Sequence, residues 1–346
     1  MTSLGLLTEK YTSLSMIGMC KNAGKTTALN HLIADLNDRH ETFAVTSVGR
    51  DGESTDVVTG TKKPGIYIHE GTLIATAAGL LEWCDITKEI LAVTGMNTPM
   101  GEVVVIRALS DGNVQLAGPS MNEQIIEISG MFRAFGAQKI LIDGAVSRKT
   151  LGSARVAEAA VLCTGASYHK DMQTVVNHTA YFCRLLSLQP PKCGRELSAI
   201  RAAAGSAKAV LANDQGDVRR IKTAKEMSTA LGSRENSGFN YIFVDGALSD
   251  GILKPLLMSN ISFRDKTVIT GDSSKILLSP PVCEKLFVKG ARLAVLDPIS
   301  LAAVTINPFS AYGYHFDKQE FLDRMSEAVE VPVINVEEGI NDSTDV

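Results

Sequence analysis

The sequence predicts an α/β fold, with a mostly parallel sheet flanked by helices and a second α/β half following it. Three observations predict it. Short apolar runs alternate with longer stretches of helical spacing along the chain. A loop bearing glycine and lysine joins the first such run to the first such stretch. The composition, 45% hydrophobic and 21% charged, is that of a globular chain and excludes a disordered segment, a collagen or a coiled-coil rod.

The elements follow in order. Residues 15–19 read as a buried strand, and 24–40 as a helix with Leu29, Leu32, Ile33 and Leu36 on one face. Residues 43–48 are the next strand. Residues 72–84 are predicted helical, 89–94 extended and 103–107 a strand. An amphipathic helix over 122–135 precedes a buried strand at 139–143. A strand at 161–164 and a helix at 171–188 repeat the alternation. Beyond them, apolar runs at 209–211, 241–245, 267–270, 293–296, 303–306 and 333–336 continue it. Such runs read as parallel strands covered on both faces. The polar tail 337–346 is expected to fray.

A length of 346 residues suggests two domains or one large sheet. Pro190 and Pro191, followed by Gly194, end the preceding helix. The expected division is therefore a nucleotide-binding domain at 1–190 and a second, Rossmann-like domain at 191–346, separate from the first or continuous with it. Residues 140–147 (ILIDGAVS) and 242–249 (IFVDGALS) echo each other. The echo fits either the common use of Asp-Gly after a buried strand or a duplicated half-fold.

Lys plus Arg total 34 against 38 Asp plus Glu, a net charge of −4, with an isoelectric point near 5.9. No global positive field exists to hold nucleic acid or an anionic membrane. Aromatic residues make up only 5%, with one tryptophan, which disfavours a base-stacking surface. The start lacks the pattern of a secretory leader, and no apolar run approaches the ~18 residues of a membrane span. Six scattered cysteines read as reduced thiols of a cytoplasmic protein. His169, His178, Cys183 and Cys193 fit no zinc spacing.

The strongest motif is the run 18–27, GMCKNAGKTT. It follows a predicted strand and opens a predicted helix, the context of a phosphate-binding P-loop. Backbone N–H groups there wrap phosphate oxygens, and the helix N-terminus adds partial positive charge. Gly18, Lys21, Asn22, Ala23, Gly24, Lys25, Thr26 and Thr27 are thus expected to hold ATP. Lys25 would reach the β/γ-phosphates, Thr26 would offer its hydroxyl to Mg²⁺, and Thr27 would touch the α-phosphate side. Such a site needs a carboxylate for Mg²⁺ and one to orient the attacking group. Asp143 ends an apolar strand, at the sheet edge where ligands bind. Asp51 and Glu53 lie on a glycine-flanked segment after the second strand, beside Arg50, which could pair with phosphate. Lys25, Asp143 and Asp51 are the expected catalytic groups, and Thr26, Asp51, Glu53 and Asp143 the expected metal ligands. Glu70 could act on a substrate. The end of the 161–164 strand, through Ser167, could line the same cleft, and Asn307 could read the adenine. No guanine-reading motif is present, which favours ATP over GTP.

Five residues, not four, separate Gly18 from Gly24. That spacing, with Asn22-Ala23-Gly24-Lys25, resembles the loops of dethiobiotin synthetase, of the cobyric-acid and cobyrinic-acid synthetases, and of the SIMIBI group of P-loop NTPases. Some members add a lysine five positions before the loop lysine, which reaches across a dimer. Here that position is Cys20. The segments 46–53, 59–64 and 68–77 extend a resemblance to the reactivase subunit of lysine 5,6-aminomutase from lysine-fermenting bacteria. The resemblance implies an ATPase beside an adenosylcobalamin enzyme, exchanging damaged for intact cofactor. It also implies a partner ATPase subunit resembling the mismatch-repair protein MutS, and a homo-oligomer is compatible with it. The alternative is an ATP-dependent ligase or kinase acting on a small carboxylate, as in dethiobiotin synthetase.

Overall fold

The computed structural model describes residues 4–51, 65–144, 155–192 and 194–336. After a short helix at Leu4–Thr8, the main elements are β1 (Ser13–Gly18), α1 (Lys25–Asp38), β2 (Phe43–Val48), β3 (Leu73–Ala77), β4 (Lys88–Thr98), β5 (Gly101–Ala108) and α2 (Asn122–Ala134). Next are β6 (Lys139–Gly144), β7 (Ala159–Gly165) and α3 (Met172–Leu186). The chain then builds α4 (Arg195–Ala203), β8 (Ala209–Ala212), β9 (Val218–Ile221), α5 (Ala224–Gly232) and β10 (Tyr241–Val244). It continues through α6 (Asp250–Met258), β11 (Thr267–Thr270), α7 (Pro280–Val288) and β12 (Arg292–Val295). It closes with β13 (Ser300–Asn307), α8 (Lys318–Ala328) and β14 (Val333–Asn335).

Two compact units result. The first comprises Met1–Cys183 and Ser300–Val346, the second Arg184–Ile299. The expected change of domain near residue 190 falls close to Arg184. The expectation that everything beyond it forms the second domain is corrected. β13 pairs in parallel with β7, and β14 with β13. Residues 300–336 thus complete the first sheet, and the second unit is an insertion.

The first unit holds a nine-stranded sheet in the order β14-β13-β7-β1-β6-β2-β3-β5-β4. Seven neighbours run parallel, and the β4–β5 hairpin closes one end antiparallel. Every residue of β1, β2, β3, β6 and β7 is buried, as expected of parallel strands covered on both faces. α1 packs on β1 and β6. Its Leu29, Leu32, Ile33 and Leu36, the predicted face, join Leu14, Met16, Val45, Leu141 and Val161 in one core cluster. Burying a side chain of this kind contributes about 1.5–3 kcal/mol, so α1 is anchored well beyond its intrinsic propensity.

The predicted helix over 72–84 is instead strand β3 followed by a 3-10 turn, Ala78–Trp83. A short run buried on both sides carries no periodicity, so strand and helix are not separable by spacing there. Gly71 sits at φ +88° in a turn, and the Thr72 hydroxyl donates to the His69 carbonyl at 2.7 Å.

The second unit carries a five-stranded sheet in the order β9-β8-β10-β11-β12. β10, β11 and β12 are mutually parallel, whereas β8 runs antiparallel to both β9 and β10. Its core joins Leu197 and Ile200 of α4 to Val210, Phe243, Ile269 and Ala294. Among the described residues, no helix is long and apolar enough to cross a membrane.

Candidate functional site

The 18–27 loop leaves β1 at the carboxyl edge of the first sheet, between β6 and β7. Two left-handed residues shape it, Asn22 at φ 57° and Gly24 at φ +84°. Asparagine tolerates that region and glycine enters it without strain. Ala23, between them, is 1% exposed. Gly24 is the N-cap of α1, and no side chain caps the helix. The first-turn N–H groups of Lys25, Thr26 and Thr27 therefore have no side-chain partner at the cap, and these are the donors a phosphate would take.

The two glycines are required by contact as well. A Cβ on Gly18 would lie 2.9 Å from Lys25 Cδ and 3.2 Å from the Cys20 carbonyl oxygen. The Lys25 stem thus lies across Gly18, and Lys25 is 8% exposed. A Cβ on Gly24 would lie 3.2 Å from Asn307 Cβ and 3.5 Å from Val336 Cγ2. None of the ion pairs among the described residues involves the Lys25 ammonium.

Asp143 ends β6 next to β1 and is 1% exposed. It lies opposite Met16 on one side and Ser47 on the other. Lys25, Thr26 and Asp143 therefore share one stretch of the sheet's carboxyl edge. Asp51 begins from the same edge: Arg50–Asp51 forms a short strand directly after β2, paired with Leu116–Ala117. Gly49 N–H donates to the Pro119 carbonyl and Gly118 N–H to the Gly49 carbonyl, each at 3.1 Å. This backbone is fixed by its pairing, whereas the predicted loop residues from Glu53 to Pro64 lie outside the described residues. No group of three His, Cys, Asp or Glu side chains gathers for a metal among the described residues.

Asn307 ends β13, opposite Gly165 of β7. Its Oδ1 accepts from the Phe309 N–H at 2.8 Å, and its Nδ2 would lie 3.6 Å from a Gly24 Cβ. The structure thus seats Asn307 against the loop itself. The segment Gly165–Ser167 lies beside it, with Ala166 N–H donating to the Asn307 carbonyl at 2.9 Å. Lys21 is exposed. Glu70 lies at the opposite edge of the sheet, because the strand it precedes begins with Leu73 opposite Ala44, near the amino end of β2.

One further residue, Cys163, lies beside the loop without any sequence motif. Cys163 of β7 lies opposite both Gly18 and Thr305, and the Lys25 charge acts on it. Burial pushes the Cys163 thiol up to about 12, against the nearby ammonium. Burial likewise raises Cys20 to about 11, again opposed by Lys25. Burial thus favours the neutral thiol over the thiolate at both positions. The signal that could find Cys163 is strand register, which only the folded sheet supplies. No protein-family model, curated protein or solved structure matches the chain.

Proposed function

We propose that the chain is a P-loop nucleoside triphosphatase of SIMIBI type. It would bind and hydrolyse ATP at the 18–27 loop and use that cycle to act on a partner enzyme. The observation that carries this reading is the loop itself. A strand ending at Gly18, left-handed Asn22 and Gly24, an uncapped helix start and the buried stem of Lys25 together make an anion cradle.

The residues present fit a magnesium nucleotide. The N–H groups of residues 24–27 would take phosphate oxygens, and the Lys25 ammonium would offset charge at the β/γ-phosphates. Thr26 and Asp143 are the groups that would hold Mg²⁺, with Asp51 as a further ligand or as the group that orients the attacking water. When bound, Mg²⁺ neutralises charge on the transferring phosphoryl group. Water attacks the γ-phosphorus, the bond to the β–γ bridging oxygen breaks, and ADP and phosphate leave.

The resemblance of segments 46–53, 59–64 and 68–77 supports a choice of partner. We infer a reactivase of an adenosylcobalamin-dependent aminomutase, working with a MutS-like ATPase subunit. The test is phosphate release by the purified chain with and without an aminomutase inactivated by turnover. Stimulated release together with recovered mutase activity supports the reading. Release that instead requires a small carboxylate acid, and leaves the mutase inactive, overturns it in favour of a ligase. In the same assay, Lys25→Ala should bind ATP about a hundredfold or more weakly, as expected on losing a charge-assisted contact, with an unchanged circular dichroism spectrum. Wild-type affinity in that variant would place the nucleotide elsewhere.

A further inference from the structure

Charge is divided between the two units. Arg184–Ile299 holds 17 Lys and Arg against 11 Asp and Glu, a net +6. The remainder holds 17 against 27, a net −10. The mild total conceals a basic insertion in an acidic carrier.

Within the insertion, a run of cations lies on and beside β9. Lys208, Arg219, Arg220, Lys222 and Lys225 are all exposed. Among the described residues, β9 is an end strand, paired with β8. Arg220 lies opposite Val210 and Arg219 opposite Leu211, so the two arginines stand on opposite faces of the sheet. Each is held by a neutral partner. Arg219 Nη1 donates to Asn236 Oδ1 at 3.1 Å, and Arg220 Nε to Ser206 Oγ at 3.0 Å. None of the five cations joins an ion pair among the described residues. The neighbouring carboxylates are already engaged. Asp214 accepts from the Tyr241 hydroxyl, Asp217 from Asn213 Nδ2, and Glu226 from the Lys222 N–H. The arginines are thus oriented by neutral partners, and neither is ion-paired among the described residues.

We infer that β9 is a docking edge for an extended acidic segment of another protein, which adds to the sheet as a further strand. Strand addition supplies main-chain hydrogen bonds, and alternate side chains supply specificity. An acidic strand would place successive carboxylates above and below the sheet, where Arg220 and Arg219 stand. A short, cationic edge rejects strands of its own kind, and the same charges select an acidic one. A nucleic-acid duplex fits less well, because its phosphates would meet cations on one face only. The unit's exposed aromatic ring, Phe287, lies on α7 and not among these cations.

The test uses the full chain and a dye-labelled peptide of alternating glutamate and valine, read by fluorescence anisotropy. Binding should weaken as salt rises. Arg219→Glu with Arg220→Glu should weaken it about tenfold or more, while Lys285→Glu with Lys289→Glu, an equal charge change at the C-terminal end of α7, should leave it within about twofold. The same peptide N-methylated at alternate residues should bind about tenfold more weakly or worse, for want of main-chain donors. Equal binding of the methylated peptide, an equal effect of the α7 pair, or tighter binding of duplex DNA overturns the proposal. If circular dichroism shows the arginine pair to be unfolded, Lys222→Glu replaces it, with the same expected direction and the same overturning result.

Discussion

At the scale of single residues, the loop depends on two glycines for different reasons. Gly18 must be bare because the Lys25 stem crosses it. Gly24 must be bare because its φ is +84° and Asn307 stands against it. Gly24→Ala should therefore destabilise the protein by about 1–2 kcal/mol of left-handed strain, seen as a lower urea midpoint. Both glycines were legible in the motif, but the contact with Asn307 was not, since it joins residues far apart in the chain. Glu158 offers a second test. It accepts from the Thr12 N–H at 2.7 Å and the Thr12 hydroxyl at 2.8 Å. The backbone bond, then the hydroxyl, outweigh partial burial and hold its carboxyl below the ordinary 4.5. A folded-state value below the unfolded one means stability present above 4.5 and lost as pH falls through the lowered value. Glu158→Gln should remove that part of the acid dependence, measured as urea midpoints followed downward from neutral pH.

At the scale of elements, strand positions were well marked by apolar runs, and all the predicted strands of the first sheet exist in the structure. The exception, β3, was hidden because its five residues are buried on both sides. What no run discloses is pairing order. That β1 lies between β6 and β7 decides that Asp143 and Cys163 flank the loop, and order arises from packing, not from local pattern. The junction of β7 with β13 is a tight point of this arrangement. A Cβ on Gly165 would lie 2.5 Å from the Asn307 carbonyl oxygen, against backbone that cannot swing aside. Gly165→Ala should cost about 1–3 kcal/mol as overpacking, and hydrogen exchange of the β13 amides should accelerate.

At the scale of the whole molecule, the chain's division was half legible. The Pro190–Pro191 break falls just inside the insertion and Asp297-Pro298 stands just before the return at Ser300, but neither says which sheet the chain rejoins. That is set by the β7 edge that β13 covers. A fragment of residues 1–190 should therefore fail to fold cooperatively, because β7, buried at every position, would become an exposed apolar edge. A single cooperative urea transition from that fragment would contradict the shared sheet. The charge division was equally invisible in the total of −4, since the two halves nearly cancel.

The interrupted sheet also sets a clock. A ribosome that has released β7 must still make Arg184–Ile299 before β13 exists. At roughly 5–20 residues per second, that delay is on the order of ten seconds. For that interval the nascent sheet presents a bare strand, and neither Asn307 nor Val336 yet stands behind Gly24. Newly made chains should therefore need shelter from one another before they can be of use to any partner.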